Sequence, residues 1–344
     1  MRILFVGALW EGSTGLQRMV ALRDLGHNIV EQNAMSRRKP SVVERILSGL
    51  GYQLDTVGIN NRILISLQQS PVDIIWVDKT LSISRSTLLS IKRTLPCCKL
   101  VFYSPDDMMI PSNQTRQYRA CLPIYDLHVT TKSYNEVELK ALGAKEVLVI
   151  DNAYDPYTHH PVPLTAEERI RWQAEVGFIG AFEQDRYEMM LHLAQVGMRV
   201  TVRGPGWEPY VGQHTSLAVQ PGWVYGDDYA RAICATKVNL GFLRKVARDI
   251  QTTRSIEIPA CGGFMLAERT GEHLRLFVEG QEAEFFSDFD ELLQKVRYYS
   301  THDAERERIA HAGRERCVQS GYSNHDRLTT VLKHLESLHP GGWS

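Results

Sequence analysis

The chain has few cysteines for its 344 residues, only six. None of them (Cys97, Cys98, Cys121, Cys234, Cys261, Cys317) forms a CxxC pair or stands at zinc-ligand spacing from a histidine. A disulfide scaffold and a structural zinc site are thereby excluded as organising features, and reduced, mostly buried thiols are expected. No apolar run approaches the roughly 18 residues of a membrane span. The opening stretch from Ile3 to Trp10 is short, has no cleavage site and meets polar Glu11, so a soluble cytoplasmic protein is expected. Charge of one sign is also missing: 39 Lys+Arg face 40 Asp+Glu. No overall basic field exists, and nucleic acid is not expected as a partner. Neither standard phosphate loop is present. The first glycine-rich turn, from Gly7 to Gly15, is not GxGxxG and has no Lys-Ser/Thr ending.

What is there is an ordinary globular composition, 43% hydrophobic and 23% charged, long enough for two cores. Short apolar runs alternate with helical periodicity from the start. Arg2 to Ala8 reads as a buried strand, Ser13 or Thr14 can cap a helix ending at Gly26, and His27 to Gln32 is the next strand. Further strands are expected at Ile74 to Val77, Leu100 to Tyr103, Leu127 to Thr130 and Val147 to Ile150. Residues 151 to 164, with three prolines, have the composition of a linker. The alternation then restarts, with strands expected at Val176 to Ile179, Arg199 to Arg203, Val224 to Tyr225, Val238 to Gly241, Phe264 to Ala267 and Ala283 to Phe286. A separate last helix is expected from Ser323 to Leu338. This order describes an α/β protein of two doubly wound Rossmann-like domains facing a cleft and closed by a C-terminal helix. The expected boundaries are 1–155 for the N-terminal domain, 156–321 for the C-terminal domain, and 322–344 for the helix returning to the first domain with a short tail.

Three stretches carry candidate chemistry. The turn containing Trp10, Glu11 and Gly12 opens a helix, so its N–H groups could receive an anion. Asp106 and Asp107 follow a strand through Ser104-Pro105; one can face the cleft as a base while the other caps the next turn. The third stretch runs from Asp249 to Glu268. Thr252 or Thr253 can cap a helix beginning at Arg254, which unites a cation with free N–H groups and suits a diphosphate. Glu257 shares a helical face with Arg254, Gly262-Gly263 ends the helix, and Glu268 lies at the far end of the following strand. Arg244, Lys245 and Arg248 in the preceding loop are helpers for the phosphates.

The run from Arg254 to Glu268, with Glu279 to Ala283 and the Glu305-Arg306 and Gly313 to Arg316 segments, resembles the donor domain of group 1 type glycosyltransferases of the GT-B fold. The nearest subgroup is the CgeB-like, spore-maturation-type proteins. Pro71 to Val77, the Asp106-Asp107 pair, Phe178-Ile179-Gly180 with Arg186, and Gly204-Pro205-Gly206-Trp207 match motifs of similar proteins. The resemblance implies a nucleotide-sugar held by the C-terminal domain through Gly180, Arg186, Gly204, Trp207, Arg244, Arg248, Thr253, Arg254, Gly262, Gly263 and Glu268. It implies catalytic roles among Asp106, Asp107, Arg254 and Glu257, and an acceptor side that includes Trp10, Glu11, Gly12 and Lys132. The spacing departs from the retaining enzymes at one point. Their two glutamates are separated by seven residues, whereas ten separate Glu257 from Glu268, so the stereochemical outcome does not follow.

The expected activity is transfer of a sugar from a nucleotide-sugar to a hydroxyl of a glycan, a lipid-linked glycan or another small-molecule acceptor. A nucleotide-sugar epimerase of the same fold and a non-catalytic nucleotide- or glycan-binding subunit are the alternatives. No cofactor is expected beyond the donor itself, and no metal. The single Asp-x-Asp spacing considered for one, Asp288-Phe289-Asp290, reads as a helix start. The basic turn Arg37-Arg38-Lys39 and the amphipathic helices after it suggest a peripheral membrane contact or an anionic lipid-linked acceptor.

Overall fold

A computed structural model of the chain describes residues 1–36 and 38–338; Arg37 of the basic turn and the tail 339–344 lie outside the described residues. The chain divides into two compact units, Met1–Asp151 together with the segment from Asn324, and Asn152–Ser323.

In the first unit, strands β1 (Arg2–Gly7), β2 (Asn28–Asn33), β3 (Ile74–Asp78), β4 (Lys99–Ser104), β5 (Leu127–Thr130) and β6 (Val147–Val149) form one parallel sheet in the order β2-β1-β3-β4-β5-β6. The central strands are buried on both faces, which is why they read as continuous apolar runs rather than alternating ones. Helices α1 (Thr14–Asp24), α2 (Val42–Gly49), α3 (Ile59–Gln69), α4 (Arg85–Thr94), α5 (Arg116–Cys121) and α6 (Asn135–Ala141) connect them. Ser13 caps α1, its Oγ accepting from the Leu16 N–H at 3.2 Å.

The second unit contains α7 (Ala166–Trp172), β7 (Ala174–Ile179), α8 (Gln184–Gln195), β8 (Val200–Gly204), β9 (Leu217–Pro221), α9 (Asp227–Cys234) and β10 (Thr236–Gly241). It continues with α10 (Arg254–Ala260), β11 (Met265–Glu268), α11 (Gly271–Leu276), β12 (Glu284–Phe286), α12 (Phe289–Thr301) and α13 (Asp303–Gln319). Its parallel sheet has the order β12-β11-β10-β7-β8-β9. The strand order reverses beside β7, so the loops after β7 and β10 leave the sheet at neighbouring carboxyl ends, the place where open α/β sheets bind ligands.

The last helix, α14 (Asn324–Ser337), belongs to the first unit. Leu328, Val331, Leu332 and Leu335 recur at three and four residues and are buried in one cluster with Ile3, Phe5, Trp76, Met19 and Leu22. One expected strand is corrected, and the expected helix start at Asp288 is found. Val224 and Tyr225 form no strand; the pairing partner of β8 is β9, earlier in the chain. Asp288 serves as the N-cap of α12, where its carboxylate accepts from the Glu291 N–H at 2.9 Å.

Candidate active site

In the second unit, β7 ends against a concentration of guanidinium groups. Arg186, in the first turn of α8, is buried. Its Nη1 donates to the Ala181 carbonyl at 3.1 Å and lies 3.8 Å from Glu183 Oε1, while Nε and Nη2 find no hydrogen-bond partner among the described residues. Arg254, the first residue of α10, makes no ion pair among the described residues, and its buried Nε is also unpartnered. The two guanidinium carbons lie 5.3 and 5.6 Å from the centroid of the Phe178 ring, so one aromatic ring contacts both cations. Burial first, and the Arg254 charge second, lower the Arg186 pKa to about 10. Buried N–H groups without acceptors cost about 1–3 kcal/mol each. Two such cations side by side form a site that an anion with several oxygens would satisfy.

The loop after β10 completes this wall. Arg244 Nε donates to Glu183 Oε1 at 3.0 Å and Lys245 pairs with Asp185 at 3.2 Å. Arg248 sits at φ +50°, a left-handed conformation that is strained for a side chain of its size. At the end of β11, Glu268 accepts the Leu243 N–H on Oε1 at 3.0 Å, and burial raises its carboxyl pKa. The Ser255–His273 pair, not foreseen in the sequence, ties these elements together. His273 Nδ1 lies 2.6 Å from the Glu268 carbonyl, and Nε2 lies 2.7 Å from Ser255 Oγ. A carbonyl only accepts, so the network assigns the proton to Nδ1 and makes Nε2 the acceptor of the Ser255 hydroxyl. The pair anchors the start of α10, and with it Arg254.

Several expected contacts have other roles. Trp207 is wholly buried; its indole N–H donates to the Gly180 carbonyl at 2.9 Å, so it positions the β7 turn instead of touching a ligand. Gly204 is required because a Cβ there would collide with that same carbonyl. Thr253 precedes α10 in helical conformation without a side-chain cap, so the expected capping of this seven-residue helix is not formed. Glu257 is turned inward. Its Oε2 accepts the Tyr229 hydroxyl at 2.7 Å and its Oε1 lies 3.8 Å from His159 Nε2, which makes it a positioning residue rather than a catalytic one. Gly262 and Gly263 end α10 about 12 Å along the helix from Arg254, at 1.5 Å per residue. They border a groove with Thr236 and Phe264 at the starts of the strands, so they are not part of the donor cluster.

The first unit carries a second cluster, around a cavity of about 290 Å³ at the end of β3. Asp78 accepts from Arg18 Nε at 2.7 Å and Nη2 at 2.9 Å, both residues being buried. Burial opposes the Arg18 charge, but Asp78, with Tyr103 and Asp106 nearby, offsets it and holds the guanidinium protonated. Lys79 sits at φ +40°, donates its N–H to the Tyr103 carbonyl at 2.9 Å and pairs its ammonium with Asp106. Asp106 lines the cavity together with Ser13 and Thr14. Asp107 is fully buried and accepts from the Met109 N–H and Asn135 Nδ2, each at 2.9 Å. The adjacent aspartates thus divide as their opposed directions require: Asp106 faces the cavity, and Asp107 organises the loop. Asp78 and Lys79 were absent from the sequence reading although they immediately follow the Pro71 to Val77 motif. Trp10, Glu11 and Gly12 form the turn before α1, with Ser13 N–H on the Trp10 carbonyl at 3.0 Å, and the cavity is bordered by Ala8 and Ser13 on either side of them. Lys132 is buried, and its carbonyl accepts from the Asn135 N–H at 3.0 Å in the turn into α6.

Residues 186–333 match the family described as glycosyl transferase-like. No curated protein matches the chain. Among solved structures, the chain is similar to a glycosyltransferase from Rickettsia africae, at 13% identity and a TM-score of 0.68 over 99% of each chain. It is similar to sucrose-phosphate synthase from Thermosynechococcus elongatus at 12% identity and a TM-score of 0.66, covering 98% of this chain and 100% of that one. The Anabaena protein HepE, solved in complex with UDP, matches at 13% identity and a TM-score of 0.63, again over 98% and 100%. The chain has the GT-B fold, and its residues 186–333 are similar to the glycosyl transferase-like family.

Proposed function

We propose that the chain is a glycosyltransferase that moves a sugar from a nucleoside diphosphate sugar to a hydroxyl acceptor. The observation that carries this reading is the pair Arg186 and Arg254 against the Phe178 ring, with buried unpartnered N–H groups and no carboxylate paired to Arg254 among the described residues. In the transfer, the bond between the sugar's anomeric carbon and the β-phosphate oxygen breaks, and the acceptor oxygen forms the new bond to that carbon. Charge develops on the departing diphosphate, and two preorganised guanidinium groups stabilise it there more than in the intact donor. Since they supply that counter-charge, the proposed reaction runs without a divalent metal. Glu268, with Oε2 not hydrogen-bonded among the described residues, is the carboxylate that would receive ribose or sugar hydroxyls. In the first unit, Asp106 is the group assigned to the acceptor's proton and Lys79 its orienting partner.

The donor domain is assigned to 156–321, and the acceptor-side domain to 1–155 with the terminal helix. The motifs around Arg254 and Asp106 support membership of the CgeB-like subgroup, a glycan or other hydroxyl-bearing small molecule as acceptor, and a cytoplasmic site of action with peripheral membrane contact. The bound UDP belongs to HepE; its presence on a related fold supports a nucleoside diphosphate as the first ligand to test. A thermal-shift screen of nucleoside diphosphates and their sugars, followed by incubation of the best donor with and without candidate acceptors, tests the reading. Stabilisation by one diphosphate and acceptor-dependent release of that diphosphate are expected; a ligand at 100 times its dissociation constant stabilises by about 2.7 kcal/mol. Conversion of the donor into a different sugar nucleotide without acceptor would replace the reading with an epimerase, and binding without any turnover would reduce it to a binding subunit.

A further inference from the structure

Helix α2 is unlike the other helices of the first unit in having no buried residue. Val43, Ile46, Leu47 and Leu50 recur at the three- and four-residue spacing of one helical stripe, yet Val43, Ile46 and Leu50 are each 59–61% exposed. Val42 on the same helix, and Met35 and Leu54 in the flanking segments, are exposed as well. Leaving four aliphatic side chains at this spacing in water forgoes the burial that normally stabilises such a helix. Local capping holds it instead: Ser41 and Glu44 form a reciprocal capping box, and Glu44 is ion-paired with Arg38.

The charges around the stripe that have no ion pair among the described residues are of one sign. Lys39 lies before the helix and Arg45 on it, both exposed and without ion pairs among the described residues. Arg116 lies at its end, its N–H donating to the Gly51 carbonyl at 2.8 Å and its guanidinium over the Tyr52 ring at 4.8 Å. The acidic groups nearby are already committed, Glu44 to Arg38 and Asp55 to the Ile59 N–H at the start of α3. An apolar stripe rimmed by unpaired cations is complementary to an anionic lipid surface, whose headgroups meet the cations while the aliphatic side chains enter the acyl boundary. We propose that α2 docks the protein on anionic bilayers. Beside the polar face of α2, Gln53 borders both the Asp106 cavity and one of about 440 Å³.

The test is co-sedimentation of the full chain with vesicles of phosphatidylcholine alone and of phosphatidylcholine mixed equally with phosphatidylglycerol, at low and at 0.5 M salt. The wild-type chain should partition onto the anionic vesicles at least about 10-fold more than onto the neutral ones, and lose that preference in high salt. The triple variant Val43→Ser, Ile46→Ser, Leu50→Ser should bind anionic vesicles about 10-fold less while keeping its nucleoside diphosphate affinity, which shows that it is folded. No binding by the wild type, or equal binding by the triple variant, would overturn the proposal. A dimer by light scattering that the same substitutions dissolve would overturn it in favour of a second copy of the chain as the occupant. Failure of nucleotide binding in both proteins would count against the donor site and leave the vesicle result to decide the docking.

Discussion

At the scale of single residues, the adjacent aspartates offer the sharpest separation of chemistry from structure. Asp106 is partly exposed against Lys79 and lines the cavity, whereas Asp107 is buried and receives two donors. Asp106→Asn should lower turnover about 100-fold with an unchanged melting temperature, since removal of a proton acceptor acts on the barrier. Asp107→Ala should strip partners from two buried donors and destabilise the protein by about 1–3 kcal/mol. Thermal unfolding and steady-state rates on the two variants check both statements; equal effects on rate and stability would contradict the division. Glu268 gives a prediction with a pH sign. Burial raises its carboxyl pKa, so the folded state holds the proton more tightly than the unfolded chain, and ionisation costs stability. That contribution is fully present below the unfolded value of about 4.3 and is lost as pH rises through the raised value. Glu268→Gln keeps an acceptor for the Leu243 N–H and should therefore raise the melting temperature at pH 7 but not at pH 4. It should also weaken the nucleotide-sugar about 10-fold, the loss of one charged hydrogen bond. Melting curves at the two pH values, with a donor titration at pH 7, check it.

At the scale of elements, α14 is the clearest dependency. Its stripe covers the β1 and β3 side chains Ile3, Phe5 and Trp76 together with α1 residues Met19 and Leu22. Leu335→Ala should cost about 2–5 kcal/mol, and truncation after Gly321 should expose this apolar face and leave insoluble protein. An unchanged melting temperature in either variant would refute the docking. The same scale shows what could be read in advance. The central strands of both sheets were legible because burial on two faces writes a continuous apolar run, as in Ile74 to Val77. The edge strand Leu217–Pro221 was not: only Leu217 in it is buried, and its alanine, glutamine and proline carry no strand signal. The Val224-Tyr225 pair drew the assignment by composition alone. Arg254 was legible because it opens a helix, and Arg186 only through the family resemblance. The Arg18–Asp78 pair was not, since a contact across 60 residues leaves no trace in spacing. Gly262-Gly263 marked the helix end correctly, but a helix has two ends, and the donor cluster is at the other one.

At the scale of the whole molecule, the GT-B fold supplies two parallel sheets, and each presents a polar cluster among the loops at its strand ends. The second unit holds the cations suited to a leaving diphosphate, and the first holds the carboxylate suited to an incoming hydroxyl. The account rests most heavily on Arg254, the guanidinium without an ion pair among the described residues. Calorimetric titration of a nucleoside diphosphate, in excess EDTA, into the wild-type protein and Arg254→Ala tests it directly. The account predicts binding to the wild type without divalent metal, weakened by about 1.5–3 kcal/mol in the variant, or roughly 10- to 150-fold, with no change in melting temperature of the free protein. Equal affinity in the two proteins, or binding that appears only when Mn²⁺ or Mg²⁺ is restored, would contradict it.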